Sequence, residues 1–163
     1  GRRRVRLTAA PADVVPGVWT TGEIPRCNDY EDTGGAFYLD PDGVRPDPIV
    51  DDQALYFAGR EGLVVVLGCA HAGVVNTLRH IANLSGARTF HSVMGGMHLL
   101  QADEMRLRRT WEALRSWDVQ RLGPAHCTGW LVVGEMQREF PGRCFECAVG
   151  SRFTFEPPEP TPS

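Results

Sequence analysis

Residues 62–84 read GLVVVLGCAHAGVVNTLRHIANL, and they restrict the fold more than any other stretch of the chain. The run Leu63–Leu67 is continuously apolar and rich in valine, the pattern of a strand covered on both faces. After the turn GCAHAG the period changes: Val74, Leu78, Ile81 and Ala82 share one face of a helix expected over 74–84. A buried strand that feeds at once into an amphipathic helix belongs to a layered α/β architecture, because each element hides its apolar face against the other. The turn between them places Cys69 and His71 at the carboxyl end of the strand, where ligands gather in such folds.

The rest of the chain extends this pattern. QALYFAG and GLVVVLGC, joined through GREG, predict a β-hairpin. ARTFHSVMGG predicts a strand that ends in a glycine pair, and VQRLGPAH a shorter one. Between them, Leu107, Trp111 and Leu114 at i, i+4, i+7 predict a helix over Ala102–Trp117, and GWLVVGEMQREF predicts another. RVRLTAA and GGAFYLD are strand candidates, VVPGVWTTGEIPR reads as extended segments with turns, and CFECAVGSRFTFE as a final strand or hairpin. Because a hairpin accompanies the alternating strands and helices, a mixed sheet is expected rather than a parallel one. The Pro-rich tail 156–163 is expected to be disordered.

Composition excludes several function classes. A chain of 163 residues has the length of one domain. A net charge of −3 leaves no electrostatic footprint for nucleic acid or an anionic membrane. No apolar run approaches the roughly 20 residues of a membrane span. The start, GRRRVRLTAAPADVV, lacks the apolar stretch of a signal peptide. Five scattered cysteines do not form a disulfide framework, and they point to a reducing, cytoplasmic setting. Cys144 and Cys147 form a CxxC with no second pair to complete a structural zinc site, so they read as ordinary thiols.

Three histidines recur in one context. His71 follows LVVVLGCA, His98 follows SVMGGM and His126 follows RLGPA, each just beyond an apolar run, at a Gly- or Pro-marked turn before a helix. On neighbouring strands running the same way they would converge on one sheet edge, where imidazoles suit zinc, iron or manganese. His80 in a helix and His91 inside a strand fall outside this pattern.

These stretches also carry a resemblance. LVVVLGCAHAGVVNTL, MGGMHL and GPAHCTG, with VWTTGEIPR and DPIVDDQAL upstream, resemble the C-terminal part of metallo-β-lactamase-fold metallohydrolases. The branch is the one named after a dihydropterin–ribofuranosyl-aminobenzene 5′-phosphate synthase, and the match runs from about Val14 to Phe155. It implies an αββα sandwich with two divalent metals, zinc above all, at one edge of its sheets. His71 and His126 match metal-ligand histidines, and His98 matches one that is a ligand or a substrate contact. Glu23 and Arg26 would lie at the mouth of the site, and Ala70 replaces the usual serine of the GCSH motif. The HxHxDH motif that supplies most of the family's ligands is not in this chain. Residues 1–155 are therefore expected to be the C-terminal portion of one such domain, completed by a missing N-terminal half or by association of copies.

In a completed site the metals would polarise the substrate and generate hydroxide from water, to attack a phosphoester or related ester or ring of a small, phosphorylated substrate. Thr128 and Asp52 are candidates to fix the imidazole tautomers. Two alternatives stand beside this reading. One is an inactive remnant or subunit that needs a partner. The other is thiol catalysis by Cys69 with His71 or by Cys127 with His126, disfavoured because neighbours on a strand point apart.

Overall fold

The apolar run that opens the argument is the middle of a six-stranded sheet in the computed structural model, which describes residues 7–33 and 35–159. Strands β1 (Ala12–Val15), β2 (Val18–Thr20), β3 (Ala54–Gly59) and β4 (Gly62–Leu67) pair antiparallel in chain order. Strands β5 (Phe90–Gly96) and β6 (Arg121–Ala125) continue the sheet in parallel beyond β4. The expected mixed sheet is thus present. It is antiparallel where hairpins connect it and parallel where helices do.

Those helices are α1 (Val74–Ser85), α2 (Glu104–Ser116) and α3 (Trp130–Glu139). Two successive crossovers that step the same way along a sheet, both with the usual right-handed sense, put α1 and α2 on one face. Val65, Leu67, Val93 and Leu122 from the strands meet Leu78, Ile81, Trp111 and Leu114 from the helices in a single apolar core. Full burial of each such side chain contributes about 1.5–3 kcal/mol. The third helix joins through Val132 and Met136, and Trp111 Nε1 donates to Glu135 at 3.0 Å. Asp103 caps α2 by accepting from the Arg106 N–H, and left-handed Gly86 closes α1.

Three segments differ from expectation. GGAFYLD forms only an isolated bridge, Tyr38 with Pro46. The Asp40 carboxylate collects the N–H groups of Asp42, Val44 and Arg45, which closes a local loop instead of a ladder. CFECAVGSRFTFE likewise makes only a bridge from Cys144 to Leu122, with a turn at Ala148–Ser151. Its aromatic side chains instead cover the sheet face opposite the helices. Phe145 fills the space over Gly123, with the Arg121 guanidinium 5.0 Å from its ring, and Phe155 sets an edge on Phe57 at 5.6 Å. Val64, Ser92 and Met94 are buried on that face. The expected tail starts docked, since Glu156 accepts from the Arg60 N–H and pairs with its guanidinium at 2.6 Å. Residues 160–163, and much of the RVRLTAA candidate, lie outside the described residues.

Candidate metal centre

The carboxyl ends of β4, β5 and β6 are adjacent in the parallel half of the sheet, and each runs into one of the three histidine turns. The backbone there is strained in the same way three times. Of the five non-glycine residues with positive φ among the described residues, three sit in these turns: Ala70 at 54°, His98 at 51° and His126 at 50°. A left-handed conformation costs an L-residue on the order of 1 kcal/mol, and such strain concentrates where geometry serves a site.

The turns bring His71 and His98 together edge to face, with ring centroids 4.5 Å apart, and Phe37 lies 5.7 Å from the His71 ring. His98 Nε2 lies 2.7 Å from the Thr33 carbonyl oxygen. A carbonyl only accepts, so Nε2 carries the proton. Burial holds this imidazole below the usual histidine range, so near neutral pH it is uncharged and Nδ1 presents a lone pair. That Nδ1 is buried and has no partner among the described residues. A ring fixed through one nitrogen by a carbonyl, with the other nitrogen free, is the arrangement of a metal-ligating histidine.

His126 joins a different set of donors. One ligand atom each of Cys69, His126 and Cys127 lie within 4.8 Å of one another. Gly96 permits this approach, since a Cβ there would meet the Cys127 sulfur at 2.8 Å and the Cys69 Cα at 3.1 Å. The expectation that neighbouring residues point apart fails for His126 and Cys127, because both stand in a 3-10 turn, His126–Thr128, and not in a strand. Burial pushes the Cys127 thiol up, away from the thiolate that a Cys127 nucleophile would need.

A second layer fixes the turns themselves. Glu31, buried to 3% exposure, accepts from the Val75 and Asn76 N–H groups at 2.8 Å and from Asn28 Nδ2 at 2.7 Å. It caps α1 just beyond His71, and Gly73 is required beside it because a side chain there would strike the carboxyl group. Burial raises the Glu31 pKa, while these three donors pull it down in part. Asp52 and Thr128 hold backbone rather than imidazoles: Asp52 accepts from the Ala72 N–H at 2.8 Å, and the Thr128 hydroxyl accepts from Met97 N–H while donating to the Ala125 carbonyl. Arg26 is exposed and donates to the Pro48 carbonyl at 2.8 Å, and Glu23 is exposed with its backbone N–H on Ala9. Neither is among the ring partners of the histidines. His80 Nε2 meets the Thr21 carbonyl at 3.1 Å, and Cys144 and Cys147 are half-buried thiols raised by burial.

The fold has a counterpart among solved structures. The chain superposes with a TM-score of 0.70 and 27% identity on a metal-dependent hydrolase of the β-lactamase superfamily, over 91% of this chain and 57% of that one. The fold is part of a metallo-β-lactamase-type sandwich. By sequence it is 32% identical over 138 residues to the 7,8-dihydropterin-6-methyl-4-(β-D-ribofuranosyl)-aminobenzene-5′-phosphate synthase of Methanocaldococcus jannaschii, covering 82% of this chain and 47% of that protein. The chain therefore spans about half the length of these two relatives. No family model matches it. No helix among the described residues is long and apolar enough to cross a membrane.

Sequence reasoning missed Glu31 and Arg106. The acid lies more than forty residues before the N–H groups it caps, with no local pattern to announce it. Arg106 left one trace, its i, i+4 spacing from Thr110 beside the apolar stripe of α2, which places it on a buried flank.

Proposed function

We propose that this chain contributes His71, His98 and His126 to a divalent-metal centre of a hydrolase acting on a phosphoester or a related ester or ring. The observation that carries this reading is the His98 ring, pinned at Nε2 by Thr33 and free at a buried Nδ1, in edge-to-face contact with His71. The donor set suits zinc, and also iron or manganese, since neutral imidazole serves all three and thiol groups add softness. A bound cation would supply Lewis acidity and lower the pKa of a nearby water. The chain's own groups do the positioning. Thr33 fixes the tautomer of His98, Phe37 limits rotation of His71, and Glu31 with Asp52 holds the turn from which His71 projects. The relatives, one a metal-dependent hydrolase and one a synthase of a pterin-linked phosphate, support a small phosphorylated substrate.

Residues 1–155 would then be the later portion of one domain, with further ligands supplied by the part of the relatives this chain does not span, or by a partner. The covered share of those relatives also favours a second reading, that this chain by itself is inactive. Native mass spectrometry before and after a chelator separates the two. Chelatable metal, with chelation abolishing hydrolysis of chromogenic phosphoesters, is the expected result. A metal-free species without activity would leave the inactive portion as the answer.

A further inference from the structure

Arg106 is a buried cation whose hydrogen bonds are incomplete. Its residue is 4% exposed, yet among the described residues its guanidinium makes one ion pair, from Nη1 to Asp32 Oδ1 at 2.6 Å. Nε and Nη2 are buried and find no partner among those residues. Those two nitrogens lie on the same edge of the guanidinium, with N–H bonds that run parallel, so together they form the fork that grips two oxygens of one anion. A buried donor left unmade costs about 1–3 kcal/mol, and here two stand side by side. The helix holds them in place: Asp103 accepts from the Arg106 N–H, and Thr110 Oγ1 donates to the Arg106 carbonyl.

Arg106 lines a cavity of about 100 Å³ together with His98, Leu100, Gln101 and Cys127. The cavity therefore joins the guanidinium to one of the candidate ligand histidines. Two carboxylates lie near enough to compete. Asp32 is 77% exposed and sits on the opposite edge, at Nη1. Glu31 acts on Arg106 through space, but its oxygens are taken by Val75, Asn76 and Asn28.

We propose that Arg106 anchors an oxyanion subsite beside His98, which holds a phosphate or carboxylate group of the substrate through the free Nε–Nη2 edge. The role in turnover rests on the hydrolase reading above, whereas the binding of the anion rests on Arg106 alone. The substrate class is thereby narrowed to small molecules with an anionic oxygen group within reach of the metal-bearing edge.

The test is titration of the chelator-treated protein with inorganic phosphate and, separately, with acetate, following the Arg106 Nε–H resonance by NMR and affinity by calorimetry. A saturable shift of that resonance, with a dissociation constant of about 1 mM or tighter for at least one anion, is expected. The anion that binds more tightly names the group. Arg106→Lys keeps the charge and loses the fork, and should weaken binding by about tenfold or more. Asp32→Asn, at an exposed position, should bind the anion at least as tightly as the parent. The subsite is overturned if neither anion moves the Nε–H resonance, if Arg106→Lys binds as well as the parent, or if binding vanishes on chelation. The last result would assign the anion to the metal. A protein that holds no metal before chelation yet binds phosphate would instead defeat the hydrolase reading and leave the subsite standing.

Discussion

The two ends of β5 each carry a histidine beside a cavity, and they could hardly be more different. At the amino end, His91 meets the exposed carboxylate of Glu61 at 3.1 Å, beside a cavity of about 310 Å³ lined also by Arg60, Arg121 and Phe155. At the carboxyl end, His98 lies beside a cavity of about 100 Å³ with an orphaned Nδ1, a neighbouring imidazole and a half-satisfied arginine. The larger hollow holds satisfied groups and the smaller one unsatisfied groups. Unmet hydrogen-bonding capacity, which costs free energy unless something arrives to meet it, is the better mark of a site than volume. Backbone strain is weighted the same way, with one left-handed non-glycine residue, Asp118 at φ 46°, at the amino ends of the parallel strands. Three left-handed non-glycine residues mark the carboxyl ends of the parallel strands, while the β3–β4 hairpin turns through Gly62 at no comparable cost.

The contrast is broken most directly by removing ligands at the carboxyl end. His71→Ala and His126→Ala should each strip metal from the protein and abolish hydrolysis. The loss should exceed the roughly 10–100-fold that follows removal of an outer partner of a ligand. Their circular dichroism spectra should stay like the parent's, because neither imidazole belongs to the apolar core. Metal analysis by inductively coupled plasma mass spectrometry is the measurement, and full occupancy in both variants would remove His71 and His126 from the centre.

Glu31 sharpens the comparison, since it stabilises the turn without belonging to it. Glu31→Ala orphans two buried N–H groups at the start of α1 and should cost about 3 kcal/mol of unfolding free energy. Glu31→Gln keeps one good acceptor and should cost about half as much. Urea titration with an unchanged slope would report this as a loss of native stability. Equal costs for the two variants would mean that packing, and not the hydrogen bonds, is what Glu31 supplies.

Much of this was legible before any coordinates. The period change after Leu67 placed β4 and α1, and GREG placed the β3–β4 hairpin, because those patterns arise from burial on one chain segment. The order of the three histidine turns was legible for the same reason, since each follows a strand whose neighbours are fixed by short crossovers. What the pattern could not carry was the partner of each side chain. Thr128 and Asp52 are expected from the sequence to fix imidazole tautomers, yet they bind backbone, a choice that depends on a few ångströms of loop path. Phe145 and Phe155 read as a strand because aromatic residues favour strands, but both serve as cover for the second face. The pairing of Cys69 with Cys127 needed Gly96 between two strand ends, a tertiary fact with no local signature.

The smallest expected effect lies at the amino end of β5. The His91 side chain is partly buried, but its ion-pair partner Glu61 is 72% exposed, and exposed pairs contribute at most about 1 kcal/mol. Phe155 lies edge-on at 6.2 Å, a contact that a side chain of similar reach largely keeps. His91→Gln should therefore change stability by about 0.5 kcal/mol or less and leave metal content and hydrolysis untouched. Denaturation midpoint, metal analysis and turnover on one preparation would check all three. A variant that unfolds easily would mean that the larger cavity is structural and that the ring is its keystone. A stable variant that loses activity would move the functional edge to the wrong end of the sheet, because no shared hydrogen bond links His91 to the three histidine turns. Either outcome would undo the rule that separates the two ends, namely that satisfied groups mark scaffold and unsatisfied groups mark a site.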